Sequence, residues 1–297
     1  MSDSTLRASV YEVITNRILA LLDQGTIPWK KPWGGAEQAP RSLTTGKPYR
    51  GVNVFLLHAA GYASPHWLTF RQAQDWGGHI RKGEKGFPVV FWKWRAADDT
   101  ETTEEGKPAR SAPLLRYYTV FNVAQCDDLP ADRIPTVETV THPFTPIERA
   151  EVVVHGYPQG PRLEHGYPGA WYRPSADLVG MPTPEQFTSP EEYYNTLFHE
   201  LTHSTGHRER LARKGITDDI HFGSTSYSQE ELVAEMGAAF LMGHCGLEQA
   251  TLDNSAAYID AWRQRLKADS RVVVFAAAQA QRAADLILHQ APGDEAE

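Results

Sequence analysis

The chain has 297 residues, 41% hydrophobic and 22% charged, which is ordinary for a water-soluble globular protein and long enough for two domains. No apolar run approaches the ~18 residues of a membrane helix. The start, MSDSTLRASVYE, lacks the layout of a secretion signal. The two cysteines, Cys126 and Cys245, are too few for a disulfide scaffold or a cysteine zinc site, so a cytoplasmic location with no membrane partner is expected. The formal net charge of −8 conceals an asymmetry. Residues 1–97 carry 13 Lys and Arg against 6 Asp and Glu, a net of +7; the rest carries 16 against 31, a net of −15. Two such surfaces imply different partners.

In chain order, Val10, Val13, Ile14, Ile18, Leu21 and Leu22 recur at helical spacing until DQGTIP (23–28) stops them. A second helical stretch is expected from about Gly51 to Ala60, and a third over Thr69–Trp76 with Thr69 as N-cap. Strand-like runs follow at 88–94 and 114–123, joined by an acidic segment at 98–113. The polar, proline-punctuated stretch 127–146 reads as a linker. Beyond it, EVVVH (151–155) and AWYRPSADLV (170–179) look like strands. Ser189-Pro190-Glu191-Glu192 is a helix start with a capping box, and Gly206 is placed to end that helix in the left-handed conformation. Further helices are expected over about 228–243, 255–267 and 271–289. The fold class is α+β: a small N-terminal α+β unit (1–126), a linker (127–146) and a C-terminal domain (147–297) whose strands precede its helices.

The sequence HELTH (199–203) lies within the capped helix. Residues four apart on a helix share a face, so His199 and His203 can aim imidazole nitrogens at one ion, with Glu200 beside them. Zinc lowers the pKa of a bound water from about 15.7 to about 7; Glu200 can then take its proton and pass it to a leaving amine, the HExxH logic of metallopeptidases. A catalytic zinc needs a third protein ligand. Glu231 is the preferred candidate, because EELVAE resembles the gluzincin pattern, in which an acid four residues on, here Glu235, supports a histidine. Against it, Ser228-x-x-Glu231 is also a capping box. Glu235 itself and Glu209 compete; Glu209 stands where the metzincin pattern HExxHxxGxxH has its last histidine. His207 and His221 are weaker alternatives. Zn2+ is the expected ion, with Mn2+ an alternative. The segment 170–179 could offer a sheet edge to a peptide, and Tyr172 or Tyr227 a hydrogen bond to an oxyanion, although packing is the better account of either tyrosine.

Six of the eight tryptophans fall by position 94, interleaved with basic residues. Basic grooves follow phosphates and aromatic faces stack unpaired bases. No helix-turn-helix or zinc finger is visible, so sequence-independent binding of single-stranded DNA is expected, with duplex bound more weakly. The candidate contacts are Trp29, Lys30, Lys31, Trp33, Lys47, Arg50, Arg71, Arg81, Lys82 and Lys85. Trp29 and Trp33 bracket a loop and suit stacking, whereas Trp67, Trp76, Trp92 and Trp94 suit a core.

Several long motifs carry a family resemblance: YEVITNRILALLDQGTIPWKKPW, TGKPYRGVN (45–53), WLTFRQAQDWGGHIRKGEKG (67–86) and YTVFNVAQ (118–125) in the front, then FHELTHSTGH and YSQEELVAEMGAAFL (227–241). Together they resemble the ArdC antirestriction proteins of conjugative plasmids, in which a single-strand-binding domain is joined to a zincin-like metallopeptidase domain. A similar front domain begins some plasmid primases. The acidic loop at 98–112 and His221 depart from the pattern. The resemblance implies protection of incoming plasmid DNA from host restriction, in the cytoplasm or in a recipient cell entered with the plasmid. It leaves open whether the protein shields DNA or cleaves a protein target.

Overall fold

A computed structural model of the chain describes residues 9–30, 39–94, 113–135, 146–217, 225–247 and 256–291. Helix α1 (Val10–Asp23) follows the apolar spacing and starts at a reciprocal cap: Ser9 accepts from the Glu12 amide, and Glu12 accepts from the Ser9 amide at 2.6 Å. Strand β1 (Arg41–Ser42) and helix α2 (Val52–Ala59) come next. Strand β2 (His66–Thr69) leads directly into α3 (Phe70–Asp75), whose N-cap is Thr69, boxed with Gln72. Then follow β3 (His79–Ile80), β4 (Phe87–Trp94), β5 (Pro113–Asn122) and β6 (Cys126–Asp127).

The main N-terminal sheet has the order β1-β2-β5-β4, with β1 parallel to β2 and the other pairs antiparallel. Trp67, Phe87, Val89 and Val120 pack with Tyr49 and Leu57 of the α2 region, while Leu68 packs with Leu43, Ala73 and Trp76 of the α3 region. Strand alternation sends successive residues to opposite faces. The edge of β4 is closed by a side chain: buried Asn53 accepts from the Val90 amide at 2.8 Å and donates to the Val90 carbonyl at 2.7 Å. The side-chain amide stands in for a neighbouring strand, satisfying two backbone groups that burial would otherwise orphan.

The C-terminal part begins with α4 (Pro146–Gly156). EVVVH is therefore helix, not strand. Its run of valines carries β propensity, but Ala150, Val153 and Tyr157 are buried at spacings of three and four while Val152 is 66% exposed, so tertiary packing decides the period. Strands β7 (Arg162–His165), β8 (Trp171–Arg173) and β9 (Leu178–Met181) form a sheet of order β7-β9-β8. The strand expected over 170–179 is split by a 3₁₀ turn at Pro174–Ala176, since proline cannot donate to a ladder. Helices α5 (Pro190–Ser204), α6 (Lys214–Thr217), α7 (Thr225–Cys245), α8 (Ala256–Ala268) and α9 (Val272–Ile287) complete the described elements. Ser189 caps α5 as expected, but the Glu192 carboxylate reaches the Thr188 amide and hydroxyl instead of closing a box. Gly206 is not in the left-handed region. A Cβ there would sit 2.6 Å from Ile216 Cγ1, so glycine serves close packing. No helix among the described residues is long and apolar enough to cross a membrane.

The two parts share one core. Ile14, Ile18 and Leu22 of α1, and Trp29, lie in the same buried cluster as Leu232 and Met236 of α7 and Val273, Ala277 and Ala280 of α9. Polar contacts cross the same seam. Thr15 donates to the Ser270 carbonyl at 2.6 Å, the Gly51 amide donates to Gln281 at 3.2 Å, and Arg50 pairs with Asp285. Separating the parts would expose α1 and Trp29 to water. A fragment of residues 1–145 is therefore expected to lack the sharp thermal transition of the full chain in circular dichroism. A cooperative transition in the fragment would show that the N-terminal part is stable without α7 and α9.

Candidate metal centre

The centre is built on the contact between α5 and α7. Glycine permits the approach: a Cβ on Gly237 would lie 2.4 Å from Thr202 Cγ2. Helix α7 is buried on nearly every side from Leu232 to Gly243, as expected for a helix with little amphipathic contrast. It starts at Thr225, so Ser228 lies inside the helix and the capping-box account of Glu231 falls away. Glu231 instead faces α5. His199 Nε2 and His203 Nε2 lie 3.1 Å apart, and the Glu231 oxygens lie 3.5 Å from each. A tetrahedral ion with bonds of about 2.0–2.1 Å spaces its ligand atoms about 3.3–3.4 Å apart, so these three side chains fit a single divalent ion. They are also the metal-capable cluster found among the described residues.

The electrostatics favour a cation. Burial works against charging His199, but the carboxylates of Glu231, Glu200 and Glu235 together outweigh it and hold the imidazole above its ordinary pKa. Glu200 is 9% exposed, on the same turn as His199.

The acid that supports His203 is Glu230. Glu230 Oε1 lies 3.3 Å from His203 Nδ1; an Nδ1–H donated there leaves the Nε2 lone pair facing Glu231 and His199. Arg213 fixes Glu230 in turn, donating from Nε to Oε2 at 2.9 Å and from its Nη2 to Oε1. Burial pushes the Glu230 carboxyl up, yet Arg213 and His203 prevail and hold it below the usual carboxylate range. Arg213 also donates to the Thr202 carbonyl at 2.8 Å, and Arg210 to the Ser204 carbonyl at 2.8 Å. Two arginines thus cap the C-terminal carbonyls of α5, where cations also complement the helix dipole. Glu235 accepts the indole N–H of Trp29 at 3.0 Å. Glu230 was hidden because it precedes the preferred ligand on a helix whose facing was unknown, and Arg213 because it lies in the turn beyond the motif.

The other candidates fall elsewhere. Glu209 is exposed past the helix end, its amide donating to His207 Nδ1, and His221 and the Tyr227 side chain lie outside the described residues. Tyr172 donates to Asp177 at 2.9 Å and accepts from Arg210, a packing role. Of the expected nucleic-acid contacts, Trp29 is a correction: it is 1% exposed, bonded to Glu235 and edge-on to Trp262, so no face is left for a base. Arg50 is a second correction, since its guanidinium is spent on Asp285. Arg81 is held by Glu84, Asp127 and the Ala124 carbonyl. Lys47, Arg71, Lys82 and Lys85 are exposed, with Arg71 3.9 Å from Asp75. The Lys30 side chain, Lys31, Trp33 and the Trp94 side chain lie outside the described residues.

Comparison with known proteins agrees with this geometry. Residues 8–121 match the N-terminal domain of anti-restriction factor ArdC, and residues 148–279, which include the whole metal cluster, match a zincin-like metallopeptidase family. Crystal structures of the antirestriction ArdC protein from the R388 plasmid, one metal-free and one Mn(II)-bound, superpose with a TM-score of 0.72 at 36% and 37% identity. They cover 95% of this chain and 97% and 98% of theirs. The chain belongs to the ArdC antirestriction family. The uncharacterized protein y4eC of Sinorhizobium fredii is 37% identical over 93% of this chain and 90% of its own length. A DNA primase TraC of Escherichia coli is 36% identical over 94% of this chain; the chain spans only 27% of that primase and 20% of a second TraC.

For this ArdC-family centre, Glu231→Ala is expected to abolish tight binding in a calorimetric titration with Zn2+ or Mn2+. Undiminished binding would move the third ligand to Glu235 or Glu209. Arg213→Ala leaves the ligands in place but frees Glu230, and is expected to weaken binding about 10- to 100-fold. Because the folded pKa of Glu230 is depressed, its stabilising charge is fully present above the ordinary carboxylate range and is lost as pH falls through the depressed value. Glu230→Gln should therefore flatten the acid limb of the stability–pH curve; an unchanged limb would remove Glu230 from that account.

Proposed function

We propose that this chain protects DNA arriving as a single strand during conjugation from host restriction. It does so by binding that strand without sequence preference in the cytoplasm, including that of the recipient cell. The observation that carries this reading is the likeness to R388 ArdC along almost the whole length of both chains. The +7 charge of residues 1–97 and the exposed Lys47, Arg71, Lys82 and Lys85 support it, since cations following phosphates give affinity without reading bases. Duplex DNA would be bound more weakly.

His199, His203 and Glu231 would hold zinc or manganese. When bound, such an ion supplies Lewis-acid chemistry, polarising a carbonyl and acidifying water. One feature favours a second reading, a DNA-associated peptidase acting on a restriction subunit or another DNA-bound protein. A purely structural site has no use for a general base, yet Glu200 is retained beside the ligands, where its carboxylate can accept a proton and return it to a leaving amine.

Plasmid transfer into restricting and non-restricting hosts separates the two. With Glu200→Ala at equal expression, protection is expected to persist if shielding carries the biology. Loss of protection with single-strand binding intact would give the function to proteolysis instead.

A further inference from the structure

A cavity of about 530 Å³ lies between α6, α7 and α9, within the ~300–1,000 Å³ range of small-ligand sites. It is separate from the metal ligands but shares Glu230 with their support. Its charged lining is Arg213, Lys214, Glu230, Asp269 and Arg271. Arg213 is paired with Glu230, and Arg271 with Asp269 at 3.1 and 3.2 Å. Lys214 is exposed and has no ion-pair partner among the described residues, so the lining carries one uncompensated positive charge. Helix α9 also starts at this wall, where the Asp269 carboxylate accepts the amide of its N-cap Arg271 at 3.0 Å, so the positive end of that helix is already met and Lys214 is the cation left to a ligand.

The apolar wall is Phe275, which remains 47% exposed. Tyr11 of α1 stacks on it at 5.9 Å and 22°, and Trp92 of β4 lies at 6.2 Å and 40°. An aromatic track therefore leads from the N-terminal sheet across α1 to the mouth of a cationic cavity. Inorganic phosphate would leave the ring unused, and an aliphatic ligand would leave the cation unused. A base joined to a phosphate uses both.

We propose that this cavity binds a nucleotide unit, its base against Phe275 and its phosphate toward Lys214. The unit is either part of a single DNA strand, which rests on the function proposed above, or a free nucleotide, which does not.

The test uses the full chain, with labelled oligothymidylate followed by fluorescence anisotropy and thymidine monophosphate by calorimetry. Phe275→Ala is expected to weaken the strand about 5- to 150-fold, the range for loss of one stacked base, and Phe275→Trp to restore it. Lys214→Ala, an exposed change that spares the core, should reduce the salt slope by about 0.7, one phosphate on a single strand. If wild type binds the strand and all three variants match it in affinity and salt slope, the cavity proposal is overturned while single-strand binding stands. If wild type ignores the strand but binds the monophosphate in a Phe275-dependent way, the cavity stands and the strand reading fails. If neither ligand binds, both fall.

Discussion

The metal centre depends on one close approach, Thr202 of α5 against Gly237 of α7. With the two helices in that contact, the turn of α5 bearing His199 and His203 faces the turn of α7 bearing Glu230 and Glu231. The two adjacent acids divide the work: Glu231 turns toward the imidazole Nε2 atoms, Glu230 toward His203 Nδ1. A side chain on Gly237 would wedge the helices apart, and the two 3.5 Å separations of Glu231 from the histidines, on which a shared ion depends, would open together. The buried Arg213–Glu230 pair is costly to desolvate. It is sustained by what else the guanidinium does, since the same group ties off the Thr202 carbonyl at the end of α5. Support of the histidine through Glu230 and part of the capping of the helix that carries it are therefore joined in one arginine.

The N-terminal part takes part in this arrangement. Trp29 follows α1 in the chain, yet its indole N–H ends on Glu235, one turn beyond Glu231. Arg50 and Gly51 fasten the same part to α9. A basic segment and a metal-binding segment joined by a loose linker would be free to move independently; a common core removes that freedom. The basic surface and the metal centre thus share one core.

Much of this was legible from local rules. The Thr69 and Ser189 caps, the hairpin strands and the helix bearing HELTH follow from short-range chemistry: capping geometry, alternation and the four-residue repeat. The pairing of His199 and His203 was legible because i,i+4 spacing on a helix is itself geometry. What failed was everything decided by distant packing. EVVVH has a strand's composition but lies against the core on a helical period. Gly206 follows the end of α5 as expected, but outside the left-handed conformation, and its small size is used against Ile216. Glu230 went unmarked as the support of His203, because which acid on α7 meets that ring depends on a rotation that the Thr202–Gly237 contact sets.

The same limit explains the nucleic-acid surface. Composition counts tryptophans and basic residues without showing which are already committed. Trp29 and Arg50 stood out for their flanking lysines and their motif, but their polar atoms are used within the protein. Phe275 lies in the acidic part of the sequence, in an apolar helical run, and nothing local marks it. It becomes a candidate only because α1 and β4 bring Tyr11 and Trp92 to its ring and α6 brings Lys214 to the same cavity. A binding surface assembled across the seam is invisible to a count of charges taken half by half. The common core that ties the seam together is what allows residues from both halves to act on one ligand.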